Sequence, residues 1–362
     1  MGKMRLFFLG LIVSLFFFSG CTTSPTTTVL GNWVKRAEYS GNPRSEAIAF
    51  TIGDSVAYVG LGDYQWPQQQ DANIDTVMYN DLWEYHVSTN TAGQGYWTQQ
   101  AAFPGSKRYW STAFSIGNKG YVGLGYDAVT YYNDFWEYDP QSNSWSQKAN
   151  FKGSGRYEAV GFSIGNYGYM GTGIDITTAQ NDFYRYNPGS DNWDVIYGYG
   201  GVKRRSASAF VVDGKAYVVG GLDNNGQLCP DLWMYDPNSG WSQKREIYNI
   251  STLSYDDNYT TIERYSAVAF GINHKGYIAL GAYGTMRSNT WEYDPIADLW
   301  TEKTPFGQQE NGVPGGPLRI NAVAFTLGNR AFITTGSTSL NGQRLDDCWE
   351  FRPNDTYNAN AN

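Results

Sequence analysis

Cysteine and histidine are scarce in this chain, three of the first and two of the second among 362 residues. A small secreted scaffold stapled by disulfides carries more cysteine than that. Cys229 and Cys348 lie far apart and show no metal-ligand spacing. With His86 and His274 alone, a copper site of two imidazoles and tyrosine ligands would need both histidines to converge. Charge is thin too, at 17% of residues where about a quarter is usual. It leans acidic, with 34 Asp and Glu against 26 Lys and Arg and a formal net charge of −8. Non-specific nucleic-acid binding needs the opposite balance. There is no nucleophile elbow, P-loop or zinc spacing, so neither a cofactor nor a metal is expected. What the chain has in quantity is aromatic residues, 17%, and glycine, 42 residues. That composition suits strands joined by tight turns, and argues against a coiled coil, a disordered tail or a collagen-like rod.

The first twenty residues stand apart. Lys3 and Arg5 precede an apolar run from Leu6 to Phe18, broken only by Gly10 and Ser14. A membrane-spanning helix needs about 20 such residues, so this length suits the apolar part of a signal peptide. The run ends in Phe18-Ser19-Gly20-Cys21, which resembles a bacterial lipobox, although Phe18 stands where Leu is usual. The resemblance implies cleavage after residue 20, a lipid on Cys21, and a cell-envelope location, outer membrane facing the periplasm. Residues 21–31 read as a polar tether.

Six copies of one unit follow. RYWSTAFSIGNKGYVGLG begins at Arg108, and relatives begin at Arg44, Arg156, Arg204, Arg264 and Arg319. Each continues into a segment like NDFWEYDPQSNSW, and a further tryptophan closes the unit at Trp33, Trp97, Trp145, Trp193, Trp241 and Trp300. A unit reads as four antiparallel strands, a to d. Strand a is the Ala-rich run after the Arg, b the Tyr-Val-Gly run, c the Trp-Glu-Tyr run, and d carries the closing Trp. Trp33 has no a, b and c before it, and the last copy has no d after it. One blade is therefore split between the termini, and the N-terminal strand closes the ring.

The period of about 50 residues, the glycine pairs, the Trp-x-Tyr-Asp segment and the closing Trp together resemble kelch repeats. The resemblance implies an all-β protein, a six-bladed kelch-type β-propeller over residues 32–353, with 354–362 as a disordered tail. It covers nearly the whole chain after the tether. It says little about activity, because propellers host unrelated functions.

In such a propeller the d-to-a and b-to-c connections share one face. The longest connections fall there: those before Arg264 and Arg319, and the loop from Gly62 to Asn80. Long loops on a rigid scaffold are where binding groups sit. Arg44, Arg108, Arg156, Arg204, Arg264 and Arg319 stand at the entrance of strand a on that face. Kelch domains use arginines there to hold acidic peptides or sugar acids, and about two or three of the six are expected to reach a ligand. The alternative is that they bridge blades through a strand-c Asp such as Asp134, Asp182 or Asp231. Glu46 and Glu158, two residues further on, are candidates for the channel mouth, as acid/base groups or as partners of those arginines. Trp66 and Tyr132 are the leading aromatic candidates among loop residues that include Tyr126, Tyr131 and Tyr197.

These readings lead to a membrane-anchored binding module for an acidic glycan or a protein partner at the channel mouth. The runner-up is a sugar-acid mutarotase or epimerase, by resemblance to the periplasmic kelch sialate mutarotases, with Glu46 or Glu158 beside Arg44 or Arg156. A copper oxidase resembling galactose oxidase is disfavoured by His86 and His274, which fall on the opposite face.

Overall fold

The computed structural model describes residues 29–65, 76–87, 93–307 and 315–358. Every regular element among them is a strand, and six four-stranded antiparallel sheets form the blades. Blade two shows the plan: Thr112–Ile116, Lys119–Gly123, Phe135–Asp139 and Ser144–Lys148 are strands a to d. Strand a alternates buried and half-buried positions, as a strand with one face on a central channel must. The tight turn between a and b is held by Gly117 at φ 57.

Blades stack through aromatic side chains. Phe114 and Tyr121 of blade two pack with Phe135, Tyr186 and Trp193, the last two from blade three. The stacking needs a small residue at one place. A Cβ on Gly168 would lie 2.0 Å from Phe114, and one on Gly120 would lie 2.1 Å from Phe50. The same position is alanine in blades one, four and six (Ala57, Ala216, Ala331) and glycine in blade five. Each large ring so buried contributes about 1.5–3 kcal/mol.

The split blade is as the repeat pattern implies. Val323–Leu327, Arg330–Thr334 and Cys348–Thr356 are its strands a to c, and Leu30–Arg36 is its strand d. The pairing runs from Arg36↔Cys348 to Leu30↔Thr356. It therefore uses residues on both sides of the 32–353 boundary, taking Leu30 from the tether and Thr356 from the expected tail. Two charged side chains lock the closure: Arg36 Nε donates to Glu350 Oε2 at 2.7 Å, with both side chains buried. Because strand d runs toward the d-to-a face, the chain enters the propeller at the opposite face. Residues 1–28, with Cys21, and 66–75, with Trp66, lie outside the described residues.

Candidate functional site

The six entrance arginines are all buried, 0–1% exposed. In five blades the guanidinium is paired two-pronged with the Asp that opens strand c: Arg44 with Asp81, Arg108 with Asp134, Arg156 with Asp182, Arg204 with Asp231 and Arg319 with Asp347. The Nη2 arm of these pairs spans 2.7–3.0 Å. In all six blades Nη1 also donates to the carbonyl of the residue before the corner glycine, at 2.9–3.2 Å. That residue has φ 54–65, although it is Leu or Thr in five blades. The arginine thus clamps a strained corner. The corner glycine then binds the next blade: Gly62 N–H donates to Arg108 O at 3.0 Å, and Gly336 to Arg44 O at 2.8 Å, closing the circle.

These contacts correct the expectation that the arginines hold a ligand. Their donors are engaged by the scaffold, and a buried fork with a satisfied carboxylate has nothing to offer a bound acid. Tyr132 belongs to the same framework. Its ring lies 3.6 Å from the Arg108 guanidinium carbon, and its hydroxyl donates to Asp127 at 2.6 Å.

The second residue after each arginine behaves differently. Glu46, Trp110, Glu158, Ser206, Ser266 and Asn321 all have φ between 51 and 59. Their backbones join around the axis: Trp110 N–H donates to Glu46 O at 3.0 Å, Glu46 to Asn321 O at 3.0 Å, and Ser266 to Ser206 O at 3.0 Å. The left-handed backbone recurs in every blade, so it belongs to the fold. The side chains vary from blade to blade, as Glu, Trp, Ser or Asn, and they line a cavity of about 160 Å³ at the channel mouth. Below it the channel continues between alanine, serine and threonine side chains.

Glu46 and Glu158 therefore do meet at the mouth, but their partners are not the entrance arginines. Glu158 pairs with Arg205 at 3.0 Å and accepts from the Ser206 hydroxyl. Glu46, 7% exposed, accepts from Asn321 Nδ2 at 3.1 Å. Nearby Asp63 is bound to Arg344 at 2.9 Å, a pair with no exposure. Burial holds the Glu46 carboxyl well above the usual carboxylate range, Asp63 and Glu158 add to this, and Arg344 and the Asn321 bond oppose it. The pairing expected of a sugar-acid isomerase, Glu46 or Glu158 with Arg44 or Arg156, is not formed, because those arginines are inside their blades; the arginine at this cavity is Arg205, held by Glu158.

Five aromatic rings border the mouth on blades two and three. Trp110 stacks on Tyr157 at 5.1 Å and 17°, and Tyr157 stacks on Tyr126 at 5.0 Å and 23°. Tyr109 and Tyr131 flank them. All five are half-buried, and none belongs to the six core clusters between blades. Sequence reasoning singled out Tyr126 and Tyr131 but passed over Tyr109, Trp110 and Tyr157, which fall within the repeat motif. The available signal was Trp110, a ring at a position that is Glu, Ser or Asn in the other blades.

His274 lies at the far end of the channel, 2.6 Å from Asp213, beside a cavity of about 330 Å³. His86 stacks on Tyr96 at 4.7 Å. Cys229 and Cys348 are both buried and free.

Comparison with known proteins agrees with this architecture. The model of the KLHDC2/KLHL20/DRC7 Kelch-repeats domain matches residues 68–221, and that of the Kelch motif matches 203–240. No curated protein matches in sequence. The solved structure of YjhT is similar, with a TM-score of 0.65 and 15% identity, covering 86% of this chain and 96% of that one. At that identity the likeness speaks to the fold alone. Six sheets closed through a split blade, the buried arginine corners and the matched repeats lead to one conclusion: the chain folds as a six-bladed β-propeller that contains Kelch-repeat segments.

Proposed function

We propose that this propeller is a binding module whose ligand is a saccharide seated at the channel mouth, and that Cys21 tethers it to a membrane. The observation that carries the saccharide reading is the aromatic shelf of blades two and three. After the arginine three other blades have Ser45, Arg205 and Ile320, and at the Trp110 position the other blades have Glu, Ser or Asn, so the fold does not demand aromatic rings there, although Tyr265 supplies one in blade five. Stacked tyrosine and tryptophan faces suit the apolar face of a sugar ring. Glu46, Glu158, Ser206 and Asn321, beside the shelf, suit its hydroxyls. The anchor reading rests on Phe18-Ser19-Gly20-Cys21. It is compatible with strand d beginning, at Leu30, on the face opposite the mouth.

A glycan array followed by titration calorimetry tests the reading. Trp110→Ala and Tyr157→Ala are expected to weaken binding about 5- to 100-fold each, the range of a stacked aromatic. Binding of a protein but of no saccharide would replace this reading.

A further inference from the structure

Of the two charged residues that line the mouth cavity, Glu158 has an ion-pair partner and Glu46 has none among the described residues. Asp63 has Arg344, and Glu158 has Arg205. Glu46 is more than nine-tenths buried and lines the cavity, yet its hydrogen-bond partner is the neutral amide of Asn321, at one carboxyl oxygen. A buried carboxylate without a counter-charge is costly, and the protein leaves this one beside open space. The arginine ring, which suggested an acidic ligand, is sealed inside the blades, with five of its six members paired to an Asp.

We propose that Glu46 is the seat of a ligand cation, and that the saccharide bound at the mouth carries a protonated amine. The inference rests on the saccharide reading and adds the ligand's charge to it. The ring lies on Trp110, Tyr157 and Tyr126. The ammonium enters the cavity between Glu46 and the Glu158–Arg205 pair, taking the place of the missing counter-ion. The groups facing Glu46 are Asp63, Arg344, Glu158, Asn321 and the Tyr109 hydroxyl. None but the buried and occupied Arg344 is cationic. Without ligand, burial favours the protonated carboxyl. An arriving ammonium favours the carboxylate, so binding releases a proton to the solvent: the carboxyl O–H bond breaks and a charge-assisted N–H···O bond forms.

The test compares three β-linked tetrasaccharides by titration calorimetry at about pH 5.5, where the amines are already protonated: a glucosamine tetramer, its N-acetylated form and cellotetraose, with tetragalacturonate as the acidic control. The glucosamine tetramer should bind about tenfold or more tightly than the neutral two. Its binding enthalpy should depend on the ionisation heat of the buffer. Glu46→Gln keeps the amide bond to Asn321, and its melting curve reports folding. It should abolish both the preference and the buffer dependence, leaving the glucosamine tetramer bound no more tightly than the neutral two. Equal binding of all three, tighter binding of the acidic control, no proton release, or a preference that survives Glu46→Gln would overturn the cation seat and leave the saccharide reading standing. Failure of every saccharide to bind, with no effect of Trp110→Ala, would overturn both.

Discussion

Arg264 Nη1 donates to the main-chain oxygen of Asn289 at 2.9 Å, where the equivalent arginine of every other blade meets an Asp carboxylate. The Asn289 side chain turns away and donates to Glu302 at 2.6 Å, and Thr261 takes the Trp291 indole that Asp accepts elsewhere. Arg264 is left as a buried cation held by carbonyls alone. Burial draws its pKa down to about 9, and the like charge of Arg287 adds to this.

Blade five should therefore gain from a carboxylate. Asn289→Asp is expected to raise stability by about 1–3 kcal/mol, as a charge-assisted pair replaces neutral acceptors. The reverse change in blade one, Asp81→Asn, strands a buried arginine and should cost about 3–5 kcal/mol. Thermal melts of the two variants decide it. An Asn289→Asp protein no more stable than wild type would mean that the carbonyl cage already satisfies Arg264.

The closure makes a second prediction. Arg36 joins the N-terminal strand to Glu350, which also accepts from Arg330 Nε at 2.6 Å. Arg36→Ala removes one of these cations and should cost about 2–3 kcal/mol. Deleting Leu30–Arg36 exposes a strand edge, and aggregation or a sharp drop in melting temperature is expected. A truncated chain that melts like the intact one would contradict the split blade as the source of closure.

Glu46 gives the stability curve a definite sign. Its folded pKa is raised, so its penalty is absent below the unfolded value of about 4.3 and grows as pH rises toward the folded value. Glu46→Gln should raise the melting temperature at pH 7.5 and leave it unchanged near pH 3.5. Glu350, Asp81 and Asp347 have the opposite sign. Burial works against their charge, but the arginine bonds prevail and hold each pKa low. Their contribution is complete above the ordinary carboxylate range and is lost as pH falls through the depressed values. A Glu46→Gln gain that is the same at both pH values would contradict a charge-based penalty.

The fold was legible because repetition exposes it. Arg, the corner glycine and the closing Trp recur six times, and the unpaired Trp33 shows where the ring closes. The arginines were harder. An Asp opens strand c in five of the six blades, which favours a bridging role, but whether a charged pair faces solvent or the blade interior depends on packing that spacing does not encode. The mouth was legible only in part. Glu46 and Glu158 could be placed there by register, whereas the Glu158–Arg205 and Asp63–Arg344 pairs join residues from different blades. Trp110 and Tyr157 resembled strand residues of the repeat; Trp110 sits at φ 51 and Tyr157 stacks on it from the next blade, neither of which spacing encodes.

Indole resonances give the most direct test of a ligand at the mouth. The chain has 13 tryptophans, and Trp110→Phe assigns the Trp110 signal in a spectrum of tryptophan-labelled protein. On titration with the glucosamine tetramer, the Trp110 resonance should shift in a saturable way. Signals of blade-interior indoles such as Trp193 and Trp349 should stay in place. Saturable shifts at the interior indoles with Trp110 unmoved, or no shift at any concentration of the tetramer, would contradict the account.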